Sequence, residues 1–165
     1  MVNQMGALAQ ASMNLVLDQF LQYTEAREEE NLANEDKLDI YEDRLGGYLV
    51  QISQHGTSAD DNHTISRLLH AIGDFERIGD HILNLQQSAK ELHDKQLRFS
   101  DAAREELAVL THLMQDILDA SLSCFREDDP IAAQQVEPLE ETMDCLTDEI
   151  RSRHIRRLQT GECTI

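Results

Sequence analysis

Between Leu68 and Leu83 the apolar residues Leu68, Ile72, Phe75, Gly79, Ile82 and Leu83 recur at helical spacing. Beside them Glu76, Asp80 and Asn84 recur at every fourth residue, which on a helix stacks three oxygen-bearing side chains up one face. The segment therefore reads as a helix whose buried stripe is bordered by oxygens. Two carboxylates one turn apart repel each other by a few tenths of a kcal/mol. Placed against a buried seam, they ask for a compensating cation. A hard metal ion is one answer and an arginine from a neighbouring helix is another.

The same period runs through the rest of the chain. Met5, Leu8, Ala9, Met13, Val16, Leu17, Phe20 and Leu21 predict a first helix over about 5–29, ending in the charged run Glu25-Ala-Arg-Glu-Glu-Glu30. Asn31 or Asn34 can cap a second helix whose buried face is marked by Leu38, Tyr41, Leu45, Tyr48, Leu49 and Ile52, up to Gly56. Gly46-Gly47 weakens its middle by about 1 kcal/mol per glycine relative to alanine, and close helix packing is the expected reason for keeping both. Ser58-Ala-Asp-Asp-Asn62 supplies N-cap candidates and first-turn acids for a third helix reaching about Lys95. Ser100 and Asp101 start a fourth, with Leu107, Leu110, Leu113, Met114, Ile117, Leu118, Leu122 and Phe125 on its stripe. Asp129-Pro130 opens a fifth, which runs to about Gln159 with Gly161 as its stop. Pro138 either kinks that helix or marks its true start after a lead-in turn. Arg151, Arg153, Arg156 and Arg157 concentrate positive charge near its end, where they complement the helix dipole and are expected to pair with the chain's own acids.

Composition agrees. The 165 residues carry 41% apolar side chains, two prolines and seven glycines, which is the make-up of a helical bundle large enough to bury a core. A formal charge of −18 leaves no basic face for phosphate contacts and excludes a nucleic-acid partner, while favouring cations and basic partners. Cys124, Cys145 and Cys163 form no C-x-x-C pair, so reduced thiols used in packing are expected. No run approaches the roughly 18 apolar residues of a membrane span, and Met1-Val-Asn-Gln-Met5 does not open a signal peptide. A soluble segment is expected.

A shift of 105 residues lays the chain on itself without a gap. Leu8, Leu17 and Phe20 fall on Leu113, Leu122 and Phe125; Glu35-Asp36-x-Leu-Asp39 falls on Glu140-Glu141-x-Met-Asp144, and Asp43 on Asp148. The third helix would recur beyond residue 165, so the chain is expected to stop short of a second acidic ladder. The predicted architecture is all-α: an antiparallel bundle with one three-helix repeat over 1–98 and the first two helices of a second over 99–165. The second repeat would expose an apolar face that invites pairing between chains, making a homo-oligomer an expectation.

The segment Asp74-Phe-Glu-Arg-Ile-Gly-Asp-His-Ile-Leu-Asn84 resembles the signature of the PhoU family, in which an E-x-x-x-D ladder lies on the third helix of each three-helix repeat. Asp148-Glu-Ile-Arg-Ser-Arg-His-Ile-Arg-Arg-Leu-Gln-Thr-Gly-Glu-Cys163 is similar to the RxRHIxRLxxGxC segment of the PhoU-like cytoplasmic domain that follows the membrane part of Na/phosphate-cotransporter-type proteins. The resemblance implies two three-helix bundles, a role in phosphate homeostasis, and metal held by the acidic motifs. By it Glu76 and Asp80 are metal ligands, Asn84 continues their ladder, and Asp39 and Asp144 are candidates to face the same site. It also implies a phosphate transporter's transmembrane domain as partner, either separate or in the same full-length chain, and a location on the cytoplasmic side of the membrane.

Oxygen-only donors favour Mg, Ca or Mn, or iron in a multi-carboxylate cluster, over zinc. His81 lies about 100° from Asp80 around the helix and, with His70 and Asp74, falls on the outward arc. The Glu-x-x-His of di-iron bundles is missing from Glu76-Arg-Ile-Gly-Asp80, and no phosphate loop or nucleophile elbow is present, so a non-enzymatic regulatory module is expected. Two other readings stand beside it. One is a structural bundle whose acids pair with arginines and hold no metal; the other, a di-metal oxidase, predicts oxygen uptake with ferrous iron.

Overall fold

The structure is a computed structural model and describes residues 1–163. Among the described residues every regular element is a helix: α1 (Val2–Gln19), α2 (Glu25–Ser53), α3 (Ala59–Asp94), α4 (Asp101–Glu127), the single turn α5 (Pro130–Ala133) and α6 (Val136–Thr160). They group into two compact units that part between Gln96 and Leu97. None of these helices is long and apolar enough to cross a membrane.

The first unit is a three-helix bundle in which α3 packs on both α1 and α2. Its buried residues on α3 are Ile65, Ile72, Phe75, Gly79, Ile82, Gln86 and Ala89. From Ile72 onward they alternate steps of three and four, the 3.5-residue repeat of knobs-into-holes packing. Met5, Ala9, Met13 and Val16 of α1 and Leu38, Leu45 and Leu49 of α2 complete the core. Leu68 and Leu83 sit at its margin, and Tyr48, expected inside, is 62% exposed. Ser58 starts α3 with a capping box: its Oγ accepts from the Asp61 amide while the Asp61 carboxylate accepts from the Ser58 amide.

The first helix ends ten residues earlier than its pattern suggests. Gln19, buried, turns its side chain onto Thr24, accepting from the Thr24 amide at 2.7 Å and donating to its carbonyl at 3.1 Å. This substitutes for helical bonds and lets the chain reverse at once. Asn31 and Asn34 are then inside α2 and buried, not caps. Asn31 Nδ2 donates to Gln86 Oε1 at 3.0 Å, and Gln19 Nε2 reaches the same oxygen at 3.4 Å, so one buried amide on α3 joins both other helices. Beside this cluster Lys90 donates to Glu28 at 2.8 Å, Tyr23 also bonds Glu28, and the Tyr23 ring stacks on His93 at 4.4 Å. The bond to Glu28 and burial push the Tyr23 hydroxyl up to about 12.

The second unit is a hairpin of α4 and α6 joined through α5. Glu106 near the start of α4 holds Arg157 near the end of α6 through two bonds of 2.9 and 2.6 Å, which fixes the two helices antiparallel. The Arg157 guanidinium holds the Glu106 carboxyl below the usual range. Arg151 pairs with Asp148 and Arg153 with Glu149, within their own helix. Asp129 caps α5, accepting from the Ile131 and Ala132 amides. Pro138 lies in the first turn of α6, so the lead-in turn is α5 and no kink arises. No residue of α4, α5 or α6 is buried.

Candidate acidic face on the second and third helices

The acidic ladder depends on a glycine. Gly79 is buried where α3 crosses α2, and a Cβ there would stand 3.0 Å from Leu38 Cδ1 and 3.8 Å from Glu35 Cγ. Its missing side chain lets the helices close on each other, so the carboxylates flanking the seam on both sides come into one another's field. Those on α3 are Glu76 and Asp80. Those on α2 are Glu35, Asp39 and Glu42, spaced four and three residues apart and hence on one helix face.

The electrostatics record this grouping. Partial burial pushes the Glu76 carboxyl above its ordinary value, and the charges of Asp80, Glu42 and Asp39 push it further, with Arg77 opposing weakly. Glu35 is raised first by burial, then by Asp39, Asp36, Asp80 and Glu76. Among the described residues no lysine, arginine or histidine nitrogen stands within 4.0 Å of the carboxylates of Glu35, Asp39, Glu42, Glu76 or Asp80. Arg77 turns instead toward Asp74, at 3.8 Å. The arginine answer to the ladder's repulsion is therefore not the one used here.

Of the expected ligands, Glu76, Asp80 and Asp39 are brought together. Asn84 is exposed and donates its Nδ2 to the Asp80 carbonyl at 2.9 Å, bonding its own helix. Asp144 lies exposed on α6 in the second unit. Glu35 and Glu42 were not expected as site residues, although their spacing with Asp39 was the available signal. His70 and His81 face solvent.

The donors are all carboxylate and short of countercharge, the chemistry a hard cation takes, but of the five only Glu35 and Glu76 are partly shielded from water. The side chains are not gathered into a cage: among the described residues no three His, Cys, Asp or Glu converge on a point that could hold a metal ion. Asp39, Glu42 and Asp80 are exposed.

Next to the acids a cleft of about 260 Å³ opens between α2 and α3, lined by Glu42, Asp43, Gly46, Gly47, Leu69, Ile72 and Gly73. A Cβ at Gly46, Gly47 or Gly73 would meet nothing within 4 Å. Close packing, the expected reason for the Gly46-Gly47 pair, is thus not what keeps it; these glycines widen the cleft.

Neither a curated protein nor a solved structure matches the chain. The PhoU domain family matches it over residues 2–89, which takes in all of α1 and α2, most of α3 and the whole acidic face. With more than half its length matched, in an all-helical bundle carrying the acidic ladder on its third helix, the chain belongs to the PhoU domain family.

Proposed function

We propose that this chain is a non-catalytic regulatory domain of phosphate homeostasis whose α2–α3 face takes up a hard divalent cation or iron. PhoU family membership supports the regulatory role, since the family is a regulatory one tied to phosphate. The observation that carries the metal reading is that Asp39, Glu42 and Asp80 act on Glu35 and Glu76 across Gly79 while none of the five carboxylates is ion-paired among the described residues. Glu76 and Asp80 would hold the ion from α3, and Asp39 with Glu35 or Glu42 from α2. Asn84 would offer its Oδ1 while its Nδ2 stays on the Asp80 carbonyl, and Asp144 would be the counterpart of Asp39 in the second unit. A bound cation would supply positive charge at the helix seam, relieving the repulsion that raises Glu35 and Glu76. The partner in this reading is the transmembrane domain of a phosphate transporter of the Na/phosphate-cotransporter type, supported by the Arg151–Cys163 segment.

Calorimetric titration of Mg, Mn or Fe(II) into metal-free protein tests the cation. The expected result is binding that falls at least tenfold in Glu76→Ala/Asp80→Ala; equal affinity in the two proteins would exclude this face. A second reading, a structural bundle that binds no metal, is favoured by the unconverged side chains. It predicts no heat of binding in either protein.

A further inference from the structure

Gly79 stands at the centre of the acidic face. Along α2 and α3, Glu28 meets Lys90, Asn31 meets Gln86 and Leu38 stands against Gly79, so the two helices run antiparallel. On each helix the contact residue is flanked in the same way. Glu76 lies three residues before Gly79 and Asp80 one after it; Glu35 lies three before Leu38 and Asp39 one after it. The separation of the helices at this one point therefore sets how far the carboxylates of α3 stand from those of α2.

That separation has no slack. A Cβ on Gly79 would stand 3.0 Å from Leu38 Cδ1, whereas carbon atoms in ordinary contact stand about 3.5–4.0 Å apart. Leu38 is 1% exposed and held in the core, so a methyl at position 79 has to be taken up by the helices parting, by about 0.5 Å or more. Metal–oxygen distances tolerate a departure of only about 0.2 Å. Asp39 and Asp80, next to the contact on either helix, have short side chains that follow such a shift poorly. The same Cβ would also stand 3.8 Å from Glu35 Cγ, against the stem of another of the acids. Gly73, six residues earlier on α3, differs: a Cβ there meets nothing within 4 Å, so a methyl leaves the crossing as it is.

We infer that Gly79 is a positioning residue: with Leu38 it fixes the distance across which the carboxylates of α2 and α3 share one hard cation, and so fixes how tightly that cation is held. This rests on the cation reading of the face and adds to it the residue pair that tunes the site. Only the first unit is involved.

Calorimetric titration of the chelator-treated chain with Mg, Mn and Fe(II) in turn tests it, with urea unfolding of the same samples alongside. Gly79→Ala is expected to weaken binding about tenfold or more, the scale on which residues that orient metal ligands act. Gly73→Ala should leave it unchanged. Adding Leu38→Ala to Gly79→Ala removes the obstructing carbon, so the helices close again and most of the lost affinity returns, although the urea midpoint falls because a core side chain is gone. Stability and affinity then move in opposite directions, which general damage to the bundle does not produce. If circular dichroism shows that the double variant loses helix, Leu38→Val, which also lacks Cδ1, replaces Leu38→Ala and is read the same way. No binding of any of the three cations by the unaltered chain would overturn the cation reading and this inference with it. Binding that Gly79→Ala leaves intact, or a double variant that binds no better than Gly79→Ala, would overturn this inference alone.

Discussion

At Glu76 the folded protein holds a carboxylate where it is least at ease. Its proton affinity is raised by burial and by Asp80, Glu42 and Asp39, and Glu35 is raised in the same way. A carboxyl with a raised folded value binds its proton more tightly when folded, so it costs stability at neutral pH and returns it as the pH falls through that value. Glu76→Gln should therefore raise the melting temperature of chelator-treated protein at pH 7, by the few tenths of a kcal/mol that a like-charged neighbour costs. The gain should shrink toward pH 4, and thermal scans at both values check it. The glycines divide by their surroundings. Gly73→Ala should stabilise by about 0.5–1 kcal/mol in urea titrations, since the new methyl enters open space. Gly79→Ala should forfeit that gain, because its methyl would press on Leu38, which is 1% exposed and cannot retreat. Equal gains at both positions would show that the helix crossing is not set by Gly79.

At the scale of elements, α3 is held by its start and by one amide. Ser58→Ala removes the capping box and should cost about 1 kcal/mol. Gln86→Leu strands the buried Asn31 amide and should cost about 1–3 kcal/mol, measured by denaturant unfolding. The sequence made the third helix legible from cap to end, because a Ser-x-x-Asp start and a continuous apolar stripe have few other solutions. The boundary between α1 and α2 was not legible in the same way. The stripe to Leu21 and the charged run after it both read as helix, while the break rests on Gln19 reaching Thr24, a pairing that hydrophobic period does not encode. The repeat did hold the answer. Asp129, which caps α5, lies 105 residues after Thr24, the N-cap of α2, so the break at Asp129-Pro130 marks where the first hairpin must turn. At the site, the ladder residues could be read from α3 alone. Glu42 shares a helix face with Asp39 by its spacing, but that this face meets α3 depends on how closely α2 approaches at Gly79 and Leu38.

At the scale of the whole molecule, the two units should differ in stability. The first buries its core completely, while α4 and α6 bury no residue at all. In hydrogen exchange at low protein concentration, amides in the middle of α4 and α6 should exchange at least about tenfold faster than those around Ile72 to Ile82 on α3, a difference of about 1.4 kcal/mol. Uniform protection across both units would contradict this. The buried amide cluster has a further consequence for which helix can go where. The positions of Gln19 and Asn31 are occupied in the second hairpin by Cys124 and Val136, and that of Glu28 by Ala133. Laid on the second hairpin in the shared register, α3 would face Cys124, Val136 and Ala133 in place of the Gln19, Asn31 and Glu28 that Gln86 and Lys90 bind in its own. The amide and the ion pair thus work as an address, sending α3 home to its own hairpin and barring an exchange that the shared register would otherwise permit.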